Sequence, residues 1–279
     1  MRIFLAGIES RRYIIKDMID NQRKESCGKM QIFLAGNDTS KVNYVFKDID
    51  IATLRPYILE SFYAIEKDKR VQEMWPYYGD YLLDSGAYTF MNSGSHEDWN
   101  AYIERYADFI NRNGIQKFFE LDIDSIVGYD KVKEFRYRLE CLTNRACIPV
   151  WHKSRGLEEF FRMSEEYSYI GIGDIAIGHI KINDYRYFPY LIREAHKRKC
   201  KVHGLGITGM TGITKYHFDT VDSTAWTTGN RFGGVYIFTG KEMKKIKPAK
   251  NQRMANPREL AQHNFLEWVK FQKYAEVHL

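Results

Sequence analysis

The sequence predicts an α/β fold: a (β/α)8-type barrel with an appended β-hairpin and a C-terminal helix. Three observations predict it. Eight short β-rich runs are spread along the chain, most intervals between them carry apolar residues at helical spacing, and no Pro-, Gly- or Ser-rich linker divides the chain. One domain over 1–279 is therefore expected, with the barrel over about 1–225 and the hairpin and last helix over about 233–279.

The first run, RIFLAG (2–7), recurs as the second, QIFLAG (31–36), and segment 37–80 holds more than one helix would need. The third run, YLLDS (81–85), ends on Asp84, where Ser85 and Gly86 let the chain turn. In SHEDWNAYIERYADFINRNG (95–114), Trp99, Tyr102, Ile103, Tyr106 and Ile110 recur at helical spacing. Ser95 is the expected N-cap there and Gly114 the expected stop. The fourth and fifth runs are KFFELDI (117–123) and CIPVW (147–151). The helical stretch 156–167 leads to YIGIG (169–173), and 187–199 leads to KVHGLG (201–206). HFDTVDS (217–223) is the eighth run. GGVYIFTGKEMKKIK then turns at Thr239-Gly240 as a hairpin, and 257–276 forms a last helix opened by Pro257. Its Leu260, Phe265, Leu266, Trp268, Val269 and Phe271 form a core stripe.

Composition narrows the function classes. With 44% hydrophobic and 28% charged residues, the chain has the make-up of a soluble globular protein. The start lacks a signal peptide's pattern and no segment has a membrane span's length, so a cytoplasmic protein is expected. Cysteines 27, 141, 147 and 200 form no CxxC cluster, so neither a zinc site nor a disulfide framework is indicated. The net charge of +6 is concentrated in 241–253, where six basic residues meet one acidic residue. Such a run is either a solvated face or a polyanion-binding one.

In barrels of this type, reacting groups sit at the carboxyl ends of the strands. Asp84, Asp122, Asp124, His152, Gly173, Asp174, His203, Gly204 and Asp222 all fall at or near such ends. Taken singly, each has a plain structural role, as a turn former or a core histidine. Repeated carboxylates at one rim are costlier to keep, because like charges in a desolvated cleft repel. Several carboxylates without a GxGxxG or P-loop motif point to substitution at an acetal-like carbon, one attacking and another handling the proton. Tyr88 and Trp226 are candidates to stack on a planar base.

Four motifs then follow in register from about residue 80 to 235. LDSGAYTF resembles the DSGGF/Y-type motif of the tRNA-guanine transglycosylase superfamily. GIGDIAIG resembles its GGLAVGE segment, HGLGIT its MGVGTP segment, and FDTVDSTAW with NRFG its FDCVLPTRSGRNG stretch. The family is a modified TIM-type barrel that exchanges guanine in a nucleic acid for a 7-deazaguanine. The resemblance implies Asp222 as the nucleophile, with Asp219 competing should the register slip by three, and Asp84 as general acid/base. It implies Tyr88 stacking on the base, and Asp122 and the backbone near 173–176 on the guanine edge. His203 stands where the family has a methionine on the other base face, and His152 near its glutamine.

The departures from the family are informative. QHNFLEW resembles the helix that carries the family's zinc-binding histidine, here His263, but the family's CxCxxC cluster is missing, so no metal or other cofactor is expected. The compact chain resembles the phage and bacterial branch that inserts 7-deazaguanines such as preQ0 into DNA. DNA is the expected partner and tRNA the alternative, with a phage-encoded protein acting in the host cytoplasm. A flipped-out guanosine would bring the anomeric carbon to Asp222. Arg231, Lys244, Lys245, Lys247, Lys250 and Arg253 would track phosphates. The superfamily often pairs subunits, which makes a homodimer the implied oligomer. Two other readings stay open: a carboxylate-dependent glycosidase or nucleosidase, and a relative that only binds nucleic acid.

Overall fold

The computed structural model describes residues 29–93, 97–207, 209–227, 234–247 and 256–279. The expected strand 2–7 lies outside them. Seven strands form one sheet: β1 (Gln31–Ala35), β2 (Tyr57–Ser61), β3 (Asp80–Asp84), β4 (Val150–Trp151), β5 (Tyr169–Ile172), β6 (Lys201–Gly204) and β7 (Thr220–Ser223). Their order is β3-β2-β1-β7-β6-β5-β4. Pairings β1–β2, β1–β7 and β4–β5 are parallel, and helices occupy the intervals between successive strands. The chain divides into two compact units that are both discontinuous in sequence.

Unit one comprises Ser61–Glu66 and Leu83–His203 among the described residues. Two single parallel bridges, Leu83 to Phe118 and Phe119 to Ile148, replace the full strand expected over 117–123. Ladder hydrogen bonds back them, with Phe119 N donating to Leu83 O (2.9 Å) and Ile148 N to Phe118 O (2.8 Å). The pattern breaks at Glu120, whose carboxylate accepts from Val150 N (2.7 Å). Helix Trp99–Arg112 buries Tyr102, Ile103, Tyr106 and Ile110, as their spacing predicts, and Phe109 with them, while Trp99 is only partly buried. Its N-cap is Asp98, accepting from Asn100 N and Ala101 N, and not the expected Ser95, which lies outside the described residues. Phe62 meets Tyr102, Tyr106 and Phe109 at ring distances of 5.0 to 5.3 Å, tying Ser61–Glu66 into this core.

Unit two comprises, among the described residues, 29–60, Lys67–Leu82 and those within Gly204–Leu279. Its strand β2 is a finding that the sequence pattern missed within 37–80. Strands β8 (Val235–Phe238) and β9 (Met243–Ile246) form the expected antiparallel hairpin. The last helix runs Pro257–His278 from an Asn256 N-cap, and Leu260, Phe265, Trp268, Val269 and Phe271 are buried, with Leu266 partly so. Side chains of this helix satisfy the free edge of β8. Asn264 accepts from Tyr236 N (2.8 Å) and donates to Gly234 O (3.0 Å), and Glu267 accepts from Phe238 N (2.6 Å). His263 bonds Tyr236 O (2.9 Å), which is the structural use of the histidine the resemblance pairs with a zinc ligand. Fully buried Gln272 accepts from Tyr57 N (3.0 Å) and donates to Ile32 O (2.5 Å) and Tyr57 O (3.0 Å). Among the described residues, no helix is long and apolar enough to cross a membrane.

Candidate functional site

Asp84 is the last residue of β3, in unit one. One of its oxygens accepts from Gly86 N (2.9 Å), so the turn-forming role is real. Gly86 has φ +91°, and a Cβ there would lie 2.5 Å from Tyr63 Cβ. Only glycine supports this backbone and this approach. Tyr102 donates to Ser85 O (2.6 Å) and Tyr106 to Leu83 O (3.3 Å) and Phe119 O (3.0 Å), fixing the turn from below. Burial raises both phenols above their ordinary range, and the Asp84 charge adds to it. Tyr88, on helix Ala87–Ser93, is 54% exposed, as a stacking ring needs to be.

The same unit brings Asp122, His152, Gly173 and Asp174 together. His152 follows β4 directly and Asp174 follows β5 by two residues. The His152 ring lies between two carboxylates, Nδ1 at 2.9 Å from Asp174 Oδ1 and Nε2 at 3.2 Å from Asp122 Oδ2. All three residues are buried. Burial works against the charged imidazole, but the two carboxylates outweigh it and its pKa is pushed up to about 10. Burial raises the Asp122 carboxyl, and the neighbouring imidazolium opposes that rise. Burial also disfavours the Asp174 anion, yet bonds from His152, Lys153 N and His179 hold its carboxyl below the usual range. Gly173 makes room for the ring, since a Cβ there would lie 2.8 Å from His152 Cε1.

Asp124 is used differently from the expectation. Arg155 grips it with two bonds of 2.6 and 2.5 Å and also reaches Glu120 (3.1 Å), while its guanidinium lies 4.0 Å from the centre of the Tyr129 ring. Arg136 takes the other oxygen of Glu120 (2.5 Å). A carboxylate held bidentately by an almost fully buried Arg is a structural anchor for the loop, and this corrects its assignment to substrate. Sequence reasoning missed Glu120, Arg136 and Arg155. Glu120 in FFELD was the one visible signal, a charge inside an apolar run. His203 is fully buried, edge-on to Phe119 at 5.1 Å, with Tyr169 OH 3.5 Å from Nδ1. Its placement is that of a core histidine.

In unit two, Asp222 is the third residue of β7 and pairs in register with Phe33. Its Oδ1 accepts from Gly206 N (2.7 Å), drawing the loop after Gly204 onto the carboxylate. Asp219 lies just before β7, at its amino end, and its backbone O accepts from Gln31 N. Trp226 follows the carboxyl end of β7 but is not open to a ligand. It is fully buried, donates to Ala35 O (2.8 Å) and packs on Phe265, which corrects its assignment as a stacking residue. Lys244, Lys245 and Lys247 are exposed, the first two on β9 and the third just after it, with Lys245 lying over the Tyr236 ring (5.4 Å). Lysines on an edge strand also discourage edge-to-edge association. Arg231, Lys250 and Arg253 lie outside the described residues.

No family profile matches the chain, and no curated protein sequence matches it. Solved structures do. A protein assigned as a fructose-1,6-biphosphate aldolase, from Coccidioides immitis, aligns with TM-score 0.53 at 12% identity over 94% of both chains. Macrophomate synthase aligns with TM-score 0.44 at 10% identity, over 77% of this chain and 84% of that one. Tryptophan synthase from M. tuberculosis aligns with TM-score 0.44 at 8% identity, over 90% and 95%. The first likeness shows a shared α/β fold of TIM-barrel type.

Proposed function

We propose that the chain is an enzyme, a nucleic-acid guanine transglycosylase that exchanges guanine for a 7-deazaguanine base such as preQ0, with DNA as substrate and tRNA as the alternative. The observation that carries the reading is the treatment of two carboxylates at strand ends. Asp84 and Asp222 each have one oxygen fixed by a loop N–H, Gly86 in one case and Gly206 in the other. A side chain oriented in this way by backbone starts close to a reactive geometry.

In this reading Asp222 attacks the anomeric carbon, the glycosidic bond breaks, and guanine leaves with the bonding electrons while accepting a proton from Asp84. The incoming deazapurine then returns its ring N–H proton to Asp84 and attacks the same carbon, releasing Asp222. Asp222 is preferred over Asp219 because it lies within β7 while Asp219 precedes the strand. Asp122 meets the N–H edge of the base, Tyr88 stacks on its face, and Lys244, Lys245 and Lys247 meet phosphates. The reading takes the sheet as a closed (β/α)8 barrel, supported by the bridges of Phe118 to Leu83 and of Phe119 to Ile148.

The test is incubation of DNA and of tRNA with labelled 7-cyano-7-deazaguanine. Incorporation into one of them, abolished by Asp222→Asn and by Asp84→Asn, is expected. With the incoming base withheld, a protein–nucleic acid adduct should survive denaturing electrophoresis. Incorporation unchanged by Asp222→Asn refutes the assignment. Hydrolysis of a small glycoside, with binding insensitive to salt, would indicate a glycosidase instead.

A further inference from the structure

His152 faces an acceptor at each ring nitrogen, Asp174 Oδ1 on one side and Asp122 Oδ2 on the other. A neutral imidazole offers one N–H, so its bare nitrogen would face a carboxylate oxygen. Both contacts are satisfied when both nitrogens carry protons. Asp174 holds its end firmly: Oδ2 accepts from Lys153 N (2.8 Å), and its carbonyl accepts from His179 N (3.0 Å) and Ile180 N (3.1 Å). Its φ is +66°, a left-handed conformation that glycine adopts more readily than aspartate. A strained residue held by this many bonds points to a use for its side chain. The remaining neighbours do not supply that use. The Arg155 guanidinium opposes the imidazolium charge and is itself bound by Asp124 and Glu120, Lys153 Nζ turns to Asp184 (2.9 Å), and His179 Nδ1 sits 3.3 Å from Asp174.

We propose that Asp174 and His152 are positioning residues: Asp174 holds the His152 ring as an imidazolium, and that cation keeps Asp122 ionised with one oxygen fixed. Asp122, its side chain 10% exposed, is then a pre-aimed acceptor for a ligand N–H. The charge state stands on the three side chains alone. The identity of the ligand rests on the base-exchange reading.

Two measurements separate the two. Histidine-selective 15N labelling of the full chain, with His152→Gln identifying the resonance, follows the ring from pH 5.5 to 9. The expected result is imidazolium through pH 8 in the wild type. In Asp174→Asn, and in Asp174→Gly, which accepts the positive φ, the transition should fall towards the ordinary histidine value of about 6.5. A wild-type ring that is neutral at pH 7, or a transition unmoved in both variants, overturns the proposal. In the base-exchange assay, Asp174→Gly should raise KM for the incoming base roughly tenfold with kcat nearly kept, as loss of pre-aimed binding requires. An equal fall in kcat with KM kept would overturn the positioning role. Should His152 behave as expected while wild-type protein exchanges no base, the functional reading fails and the positioning one stands.

Discussion

Glu60 offers the sharpest test of how this chain balances burial against charge. It lies on β2, 2% exposed, and accepts from Asn37 Nδ2 (2.9 Å), Trp75 Nε1 (2.8 Å) and Tyr78 OH (3.2 Å). Burial raises its carboxyl from 4.5 to about 7, with these donors limiting the rise. At about 1.4 kcal/mol for each pH unit between the two values, the difference is roughly 3 kcal/mol. The folded form binds the proton more tightly than the unfolded form. The contribution is therefore fully present below about pH 4.5 and is lost as pH rises through 7. Glu60→Gln removes the titration and nearly keeps the shape, but its amide must point hydrogens at one existing donor, costing about 1 kcal/mol. The variant should be about 1 kcal/mol less stable than the wild type at pH 4.5 and about 2 kcal/mol more stable at pH 9. Urea unfolding followed by tryptophan fluorescence measures both, and groups common to the two proteins cancel in the comparison. A wild-type-minus-variant difference that is the same at both pH values refutes the reasoning.

Three further outcomes follow from particular contacts. Gly173→Ala forces a methyl within 2.8 Å of His152 Cε1 and 2.9 Å of Val150 Cγ1. It should cost about 2 kcal/mol in chemical denaturation and lower the His152 transition. Gln272→Ala removes the amide that bridges Tyr57 N and Ile32 O in the core, and a loss of about 3 kcal/mol in the same measurement is expected. Asp98→Ala removes the cap of helix Trp99–Arg112 and should lower stability by about 1 kcal/mol, with faster amide exchange confined to its first turn.

Much of the architecture was legible because periodicity is local. Strands β1, β3, β5, β6 and β7, the hairpin and the long helices all announce themselves in alternation, helical spacing or a terminal Pro. Strand β2 did not, since YILES is short and carries Glu60 at an inward position. The run 117–123 looks like a strand and yields only two bridges, because Glu120 takes the Val150 amide that a ladder carbonyl would have taken. In the candidate site, the His152 cluster was visible as polar residues at strand ends. The fate of Asp124 was not. Its partner Arg155 stands 31 positions away, and no local pattern tells a gripped carboxylate from a waiting one. Trp226 misled for a similar reason: an indole near a strand end serves equally as a stacking plate or a core plug, and the Ala35 carbonyl decided it.

The Gln272 clasp bears on how the protein is made. Strand β1 is synthesised well before two of its partners: its neighbour β7 lies about 190 positions on and the side chain gripping Ile32 O lies 240 positions on. A growing chain therefore leaves the edge of β1 that meets β7 unpaired over that whole interval of synthesis, and the amide that holds Ile32 O arrives later still. Such distant closure slows folding and lengthens the window for misassociation. The arrival of Gln272, and not the emergence of β1 itself, would mark the moment at which this strand can take up its native bonds.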